Sequence, residues 1–119
     1  MTSRINLTEH NNFLPRAQAV LAALETSLEQ TFDALGLDVD LERAGGVLNV
    51  HLAKGKTVVI NLQSPMQQIW LATPYGGFHY AWNGHTWADT RGGNDLHSRL
   101  AQDLSAMAGV ALTLHPISA

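Results

Sequence analysis

The chain has 119 residues, 45% of them hydrophobic and 14% charged, and no cysteine. That is the length of one domain with enough apolar residues for a single core, and it excludes disulfides, thiolate metal sites and cysteine nucleophiles. The formal net charge of −3 is unevenly spread: Glu25, Glu29, Asp33, Asp38, Asp40 and Glu42 lie between Arg16 and Arg43 with no Lys or Arg among them, and the rest of the chain has four acids and seven bases.

Residues 1–11 are polar and read as a loose N-terminal segment, leaving 12–119 as the single domain. Asn11 or Asn12 can cap a helix, and Pro15 falls in its first turn, where a missing N–H costs little. Phe13, Ala17, Leu21, Leu24, Leu28, Phe32 and Leu35 then recur at spacings of three and four, the stripe of a long amphipathic helix. Gly36 ends it.

From Leu37 the period becomes two. Val39 and Leu41 alternate with Asp38, Asp40 and Glu42, which marks a half-exposed strand. Gly45-Gly46 is a hairpin turn. In the next strand Leu48, Val50 and Leu52 face one way and Val47, Asn49 and His51 the other. After the turn at Lys54-Gly55-Lys56, Val58, Ile60 and Leu62 oppose Val59, Asn61 and Gln63. Ser64-Pro65 interrupts, and a strand follows with Ile69 and Leu71 inward and Gln68, Trp70 and Ala72 outward. Pro74 to Gly77 reads as a turn. Phe78, Tyr80 and Trp82 then point inward, His79 and Ala81 outward. Asn83-Gly84 signals another hairpin, and a short strand around Trp87 completes the meander.

Asn94 or Asp95 caps a second helix with the stripe Leu96, Leu100, Leu104 and Met107, ended by Gly109. The tail from Val110 is extended and placed to cover the helices. A sheet with one apolar face needs a cover. The expected fold is α+β: a two-layer α/β sandwich with two helices on one face of an antiparallel sheet of about six strands, the other face in solvent.

Two surfaces carry chemistry. Glu25, Glu29 and Asp33 stand at i, i+4 and i+8 on one line of the first helix; Asp38, Asp40 and Glu42 stand at i, i+2 and i+4 on one face of the first strand. Like charges at these spacings are destabilising unless a cation or a basic partner offsets them. Oxygen donors suit hard cations such as Mg, Ca, Mn and, by the same reasoning, iron. Two readings stay open: a weak cation or basic-protein surface, and a solvated face that aids solubility. The second surface is Asn61, Gln63, Gln68, Trp70 and His79, which share the outward side of neighbouring strands. Exposed Trp is enriched at binding hot spots. The alternative is that Trp70 packs under a loop or the tail, and its Asn and Gln neighbours disfavour that.

The six histidines show no helical zinc spacing and read mostly as surface residues. His10 could add a ligand to the acidic helix. No phosphate loop or nucleophile motif is present, so the expectation is no enzyme. Scattered bases argue against nucleic acid. The start of the chain has no signal-peptide-like run and no segment is long enough to span a membrane, so the expected setting is the cytoplasm.

Several strings occur in order: Asp38-Val-Asp-Leu-Glu42 running into Gly45-Gly46-Val-Leu48, then Asn61-Leu-Gln-Ser-Pro65, Gln68-Ile-Trp-Leu-Ala-Thr73, Gly76-Gly-Phe-His-Tyr80, Trp87 and Asp89-Thr-Arg91. With them, the chain from about Phe13 to Gly109 resembles the frataxin family in its bacterial form. The resemblance implies a small iron-binding regulator or iron-delivery protein of iron–sulfur cluster assembly that docks on the cysteine desulfurase and scaffold complex. It implies weak Fe2+ or Fe3+ binding, with other divalent cations accepted, on Glu25, Glu29, Asp33, Asp38, Asp40 and Glu42. It implies partner docking on Asn61, Gln63, Gln68, Trp70 and His79. Thr26, Gln30, Ala34 and Leu35 interrupt a run that bacterial frataxins fill with more acids. The expectation is therefore a monomer with fewer bound ions and less iron-driven oligomerisation. The rival readings are iron oxidation and storage by an oligomer, and a metal-independent protein adaptor.

Overall fold

The computed structural model describes residues 2–114, with residues 2–11 described by their backbone alone. The element order is helix α1 (Thr2–Ala34), strands β1 (Val39–Ala44), β2 (Val47–Leu52), β3 (Thr57–Gln63), β4 (Gln68–Thr73), β5 (Gly76–Trp82) and β6 (Trp87–Asp89), and helix α2 (Leu96–Ala108). The strands form one antiparallel sheet in sequence order, so β1 and β6 are its edges. Both helices cover one face. This is the two-layer α+β sandwich that the change from helical to strand period predicts.

Phe13, Ala17, Val20, Leu21, Leu24, Leu28 and Phe32 of α1 and Leu96, Leu100, Leu104 and Met107 of α2 are buried against Leu48, Val50, Val58, Ile60, Ile69, Leu71, Tyr80 and Trp87 of the sheet. Each fully buried aliphatic side chain contributes about 1.5–3 kcal/mol to this core. Asp95 caps α2, its side chain accepting from the Ser98 N–H, and Gly109 closes the helix in the left-handed conformation with φ of 72°. From the tail, Leu112 and Leu114 are buried, and Ser105 Oγ bonds both the N–H and the carbonyl of Leu112.

Four expectations are corrected. Helix α1 starts at Thr2, not at a cap on Asn11 or Asn12, and runs without a break through residue 12. Residues 2–14 hold no Gly or Pro to stop it, and Pro15 inside the helix removes only one N–H bond. Leu35 is 39% exposed. It lies past the end of α1, where Leu37 N–H bonds back to the Phe32 carbonyl and Gly36 takes φ of 68°. Gly76 and Gly77 belong to β5: Thr73 pairs with Gly76, so Pro74-Tyr75 alone makes the connection. Finally, His97 is buried, because at i, i+3 and i+7 it shares the inward stripe of Leu100 and Leu104. The side chain of His10 and all of His115 lie outside what is described.

Candidate functional site

The solvent face of the sheet assembles by register. Val47 pairs with Asn61, Asn61 with Trp70, and Trp70 with His79, so one row crosses four strands. The neighbouring row joins Gln63 to Gln68. All five residues expected on this face are therefore brought together. Trp70 and His79 stack with ring centroids 4.2 Å apart and planes 8° from parallel. The Trp70 indole N–H donates to Gln68 Oε1 at 2.8 Å, and Gln63 Nε2 donates to Asn61 Oδ1 at 2.9 Å. Trp70 is half-buried and His79 exposed. The indole is thus fixed by a stack and a hydrogen bond before any partner arrives. A side chain already held in place has less rotamer freedom to lose on binding.

The acidic residues do not form one cluster. Glu25 is taken by Arg43, whose Nε lies 2.9 Å from Glu25 Oε1. Arg43 pairs with the inward residue Leu48 on β2, so its side chain reaches round the sheet edge to α1. Glu42 meets His51 Nε2 at 2.9 Å, and His51 Nδ1 lies 3.2 Å from Thr57 Oγ1. Glu29 and Asp33 line a shallow groove on α1 with Thr26 and Gln30. Asp38 instead borders a cleft of about 320 Å³ at the C-terminal ends of the two helices, beside Lys54 and Lys56. Asp40 faces solvent opposite His51.

Among the described residues no three His, Asp or Glu side chains group in a way that could hold one metal ion. The donor set still fits a hard cation in kind, since its members are carboxylates. It offers one or two ligands at a time, with water completing the shell. The pairing partners Arg43 and His51 were not singled out from sequence. The signal was present in the alternation, which sets Arg43 inward at an edge strand and His51 outward next to Glu42. It needed the β1–β2 register to be read.

The described residues form a two-layer α+β sandwich with one covered sheet face and one polar, aromatic-centred open face. The chain belongs to the frataxin-like family: residues 6–110 match the model of the frataxin-like domain. It is 40% identical to the iron–sulfur cluster assembly protein CyaY of Cupriavidus metallidurans, over 87% of this chain and 94% of that protein. It is 37% identical to the protein of the same name from Variovorax paradoxus, over 86% and 93%. The fold is similar to the solved frataxin of Psychromonas ingrahamii, with a TM-score of 0.74, 26% identity and coverage of 90% of this chain and 98% of that one. It is also similar to yeast frataxin, with a TM-score of 0.69, 29% identity and coverage of 83% and 82%. Among the described residues no helix is long and apolar enough to cross a membrane.

Proposed function

We propose that this protein takes part in iron–sulfur cluster assembly as an iron-binding regulator that docks on the cysteine desulfurase and scaffold complex and carries out no chemistry itself. The observation that carries the reading is the Trp70–His79 stack set among Asn61, Gln63 and Gln68 on the open sheet face. A flat aromatic centre ringed by amides with organised hydrogen bonds suits a protein partner better than a small molecule. The scaffold protein is the partner assigned to this face. The acidic residues of α1 and β1 face the desulfurase, through a basic surface on that enzyme.

Iron is cargo in this reading, not a resident cofactor. Of the six acids of α1 and β1, Glu29, Asp33, Asp38 and Asp40 have no ion pair among the described residues, and they are the ones that would meet it. With one or two protein ligands per ion, binding is weak and exchange is fast, as delivery requires.

The pairing of Glu25 and Glu42 supports a second reading, the metal-independent adaptor, because it removes two of the six carboxylates from ion binding. The deciding experiment reconstitutes cluster formation on the cognate scaffold with desulfurase, cysteine and graded Fe2+, with and without this protein. A rate change that grows with iron supports the regulator. A rate change of constant size at every iron level supports the adaptor. No change at any iron level, with the other components active, overturns both.

A further inference from the structure

One cleft lies outside both surfaces already assigned. It has a volume of about 250 Å³ and is lined by Phe13, Arg16, Met66, Gln67, Ala81, Trp82 and Trp87. Its wall is an aromatic cluster: Phe13 meets Trp87 edge-on at 6.0 Å, and Trp82 meets Trp87 at 5.6 Å. The Arg16 guanidinium lies over the Trp82 ring, 4.9 Å from its centroid.

Arg16 points to an anionic occupant. Arg16 is the one charged residue of the lining, and among the described residues it has no carboxylate partner. Trp87 lines the same cleft, and its indole Nε1 is buried with no hydrogen-bond partner among the described residues. The aromatic box alone would suit a cation, but Arg16 repels one.

Two further features point to a protein as its source. The cleft is continuous with the docking face: Ala81, in its lining, pairs directly with Gln68 of the Trp70 patch, and Met66 and Gln67 belong to the connection between Gln63 and Gln68. Its size falls below the roughly 300–1,000 Å³ of small-molecule pockets, yet it admits a single side chain. Met66 is 58% exposed at its rim, a flexible apolar surface of the kind that adapts to a partner.

We infer that this cleft receives an acidic side chain of the protein docked on the Trp70 face, its carboxylate held by Arg16 and its methylene stem against Met66 and Trp82. The inference rests on the docking role proposed above and adds a cationic anchor to a protein whose other partner-facing charges are acidic.

The test follows the three indole N–H signals by NMR as unlabelled cognate scaffold protein is added to the labelled full chain. Trp70 reports the sheet face; Trp82 and Trp87 report the cleft. The expected result is that all three signals move together. Arg16→Gln should then weaken binding about tenfold, the loss of one charge-assisted contact, with the deficit shrinking as salt rises. Ala81→Leu, which fills the cleft and leaves Arg16 in place, should weaken it as well. If Trp70 moves while Trp82 and Trp87 do not, and both variants bind normally, the cleft inference fails and the docking role stands. If no signal moves, the docking role fails and takes this inference with it. If glutarate alone shifts the Trp82 and Trp87 signals and the scaffold does not, the occupant is a small carboxylate and the protein anchor is overturned.

Discussion

Thr73, at the end of β4, donates its hydroxyl hydrogen to the carboxylate of Asp103 on α2 at 2.7 Å. Asp103 is only 2% exposed, and its other contact is Arg99, 3.3 Å away. Arg99 in turn lies over the Phe78 ring of β5, 4.2 Å from its centroid. The same Thr73 hydroxyl accepts from the Tyr75 N–H. One buried carboxylate therefore ties the second helix to the β4–β5 hairpin that carries Trp70 and His79 on its opposite face.

Thr73→Val keeps the shape and removes the hydroxyl, leaving Asp103 buried with one partner fewer. A hydrogen bond to a charged group is worth about 1.5–3 kcal/mol, and the variant should lose about that much stability. Urea unfolding followed by fluorescence measures it. Thr73→Ser should recover most of the loss, and an unchanged midpoint for Thr73→Val would mean that Asp103 finds water instead.

Trp70→Ala should separate docking from folding. The indole is on the solvent face, outside the core, and its removal forfeits the His79 stack and the Gln68 hydrogen bond. Cross-strand pairs of this kind contribute about 1 kcal/mol or less. Scaffold binding should fall by about 2 kcal/mol or more if Trp70 is a hot spot. Calorimetric titration and a thermal melt on the same sample give both quantities. Collapse of the melt would place Trp70 in the core and end the docking assignment.

Asp38→Asn with Asp40→Asn tests the iron reading. Neither residue has an ion partner among the described residues, so the double variant should fold normally while its effect on cluster assembly loses iron dependence. Its affinity for the desulfurase should also become less sensitive to salt, because exposed charges are screened over about 8–10 Å at ordinary ionic strength. An unaltered iron response would move the binding to Glu29 and Asp33 or to no residue of this chain.

Acid should destabilise the protein through His97. Its burial lowers its pKa below the ordinary 6.5, with Asp95 pulling weakly the other way. The unfolded chain therefore takes up the proton first. The stability contributed by the neutral, buried ring is complete above about pH 6.5 and declines as pH falls from there toward the lower folded value. This one group gives a slope of at most about 1.4 kcal/mol per pH unit. His97→Leu should flatten the decline; an equal decline in that variant would assign it to other groups. At the alkaline end Tyr80 acts in the opposite sense. Burial first, then Asp89, raises its hydroxyl well above the ordinary 10.0, so its contribution is lost as pH climbs past 10.

The elements were legible in the sequence because burial enforces period. Leu48, Val50 and Leu52 alternate with Val47, Asn49 and His51 because one side of β2 is core and the other is not. The same alternation put Asn61, Gln63, Gln68, Trp70 and His79 outward together, and the one-after-another order of the strands made them neighbours. Gly36, Asp95 and Gly109 marked helix ends through their own backbone and side-chain chemistry. Local patterns of this kind depend on residues a few places apart, and a sequence displays them directly.

The tertiary structure alone decided which charges remain available. Arg43 reaches Glu25 across 18 positions, and Asp103 finds Thr73 across 30. No spacing rule relates such pairs, because they follow from how an edge strand and a helix come to lie together. The six carboxylates, even as a line in the sequence, are divided by the fold among an ion pair with Arg43, a pair with His51, a groove on α1, a cleft beside two lysines and an open strand edge. Electrostatic energy depends on distance through space and on solvent exposure, and both are properties of the packed chain.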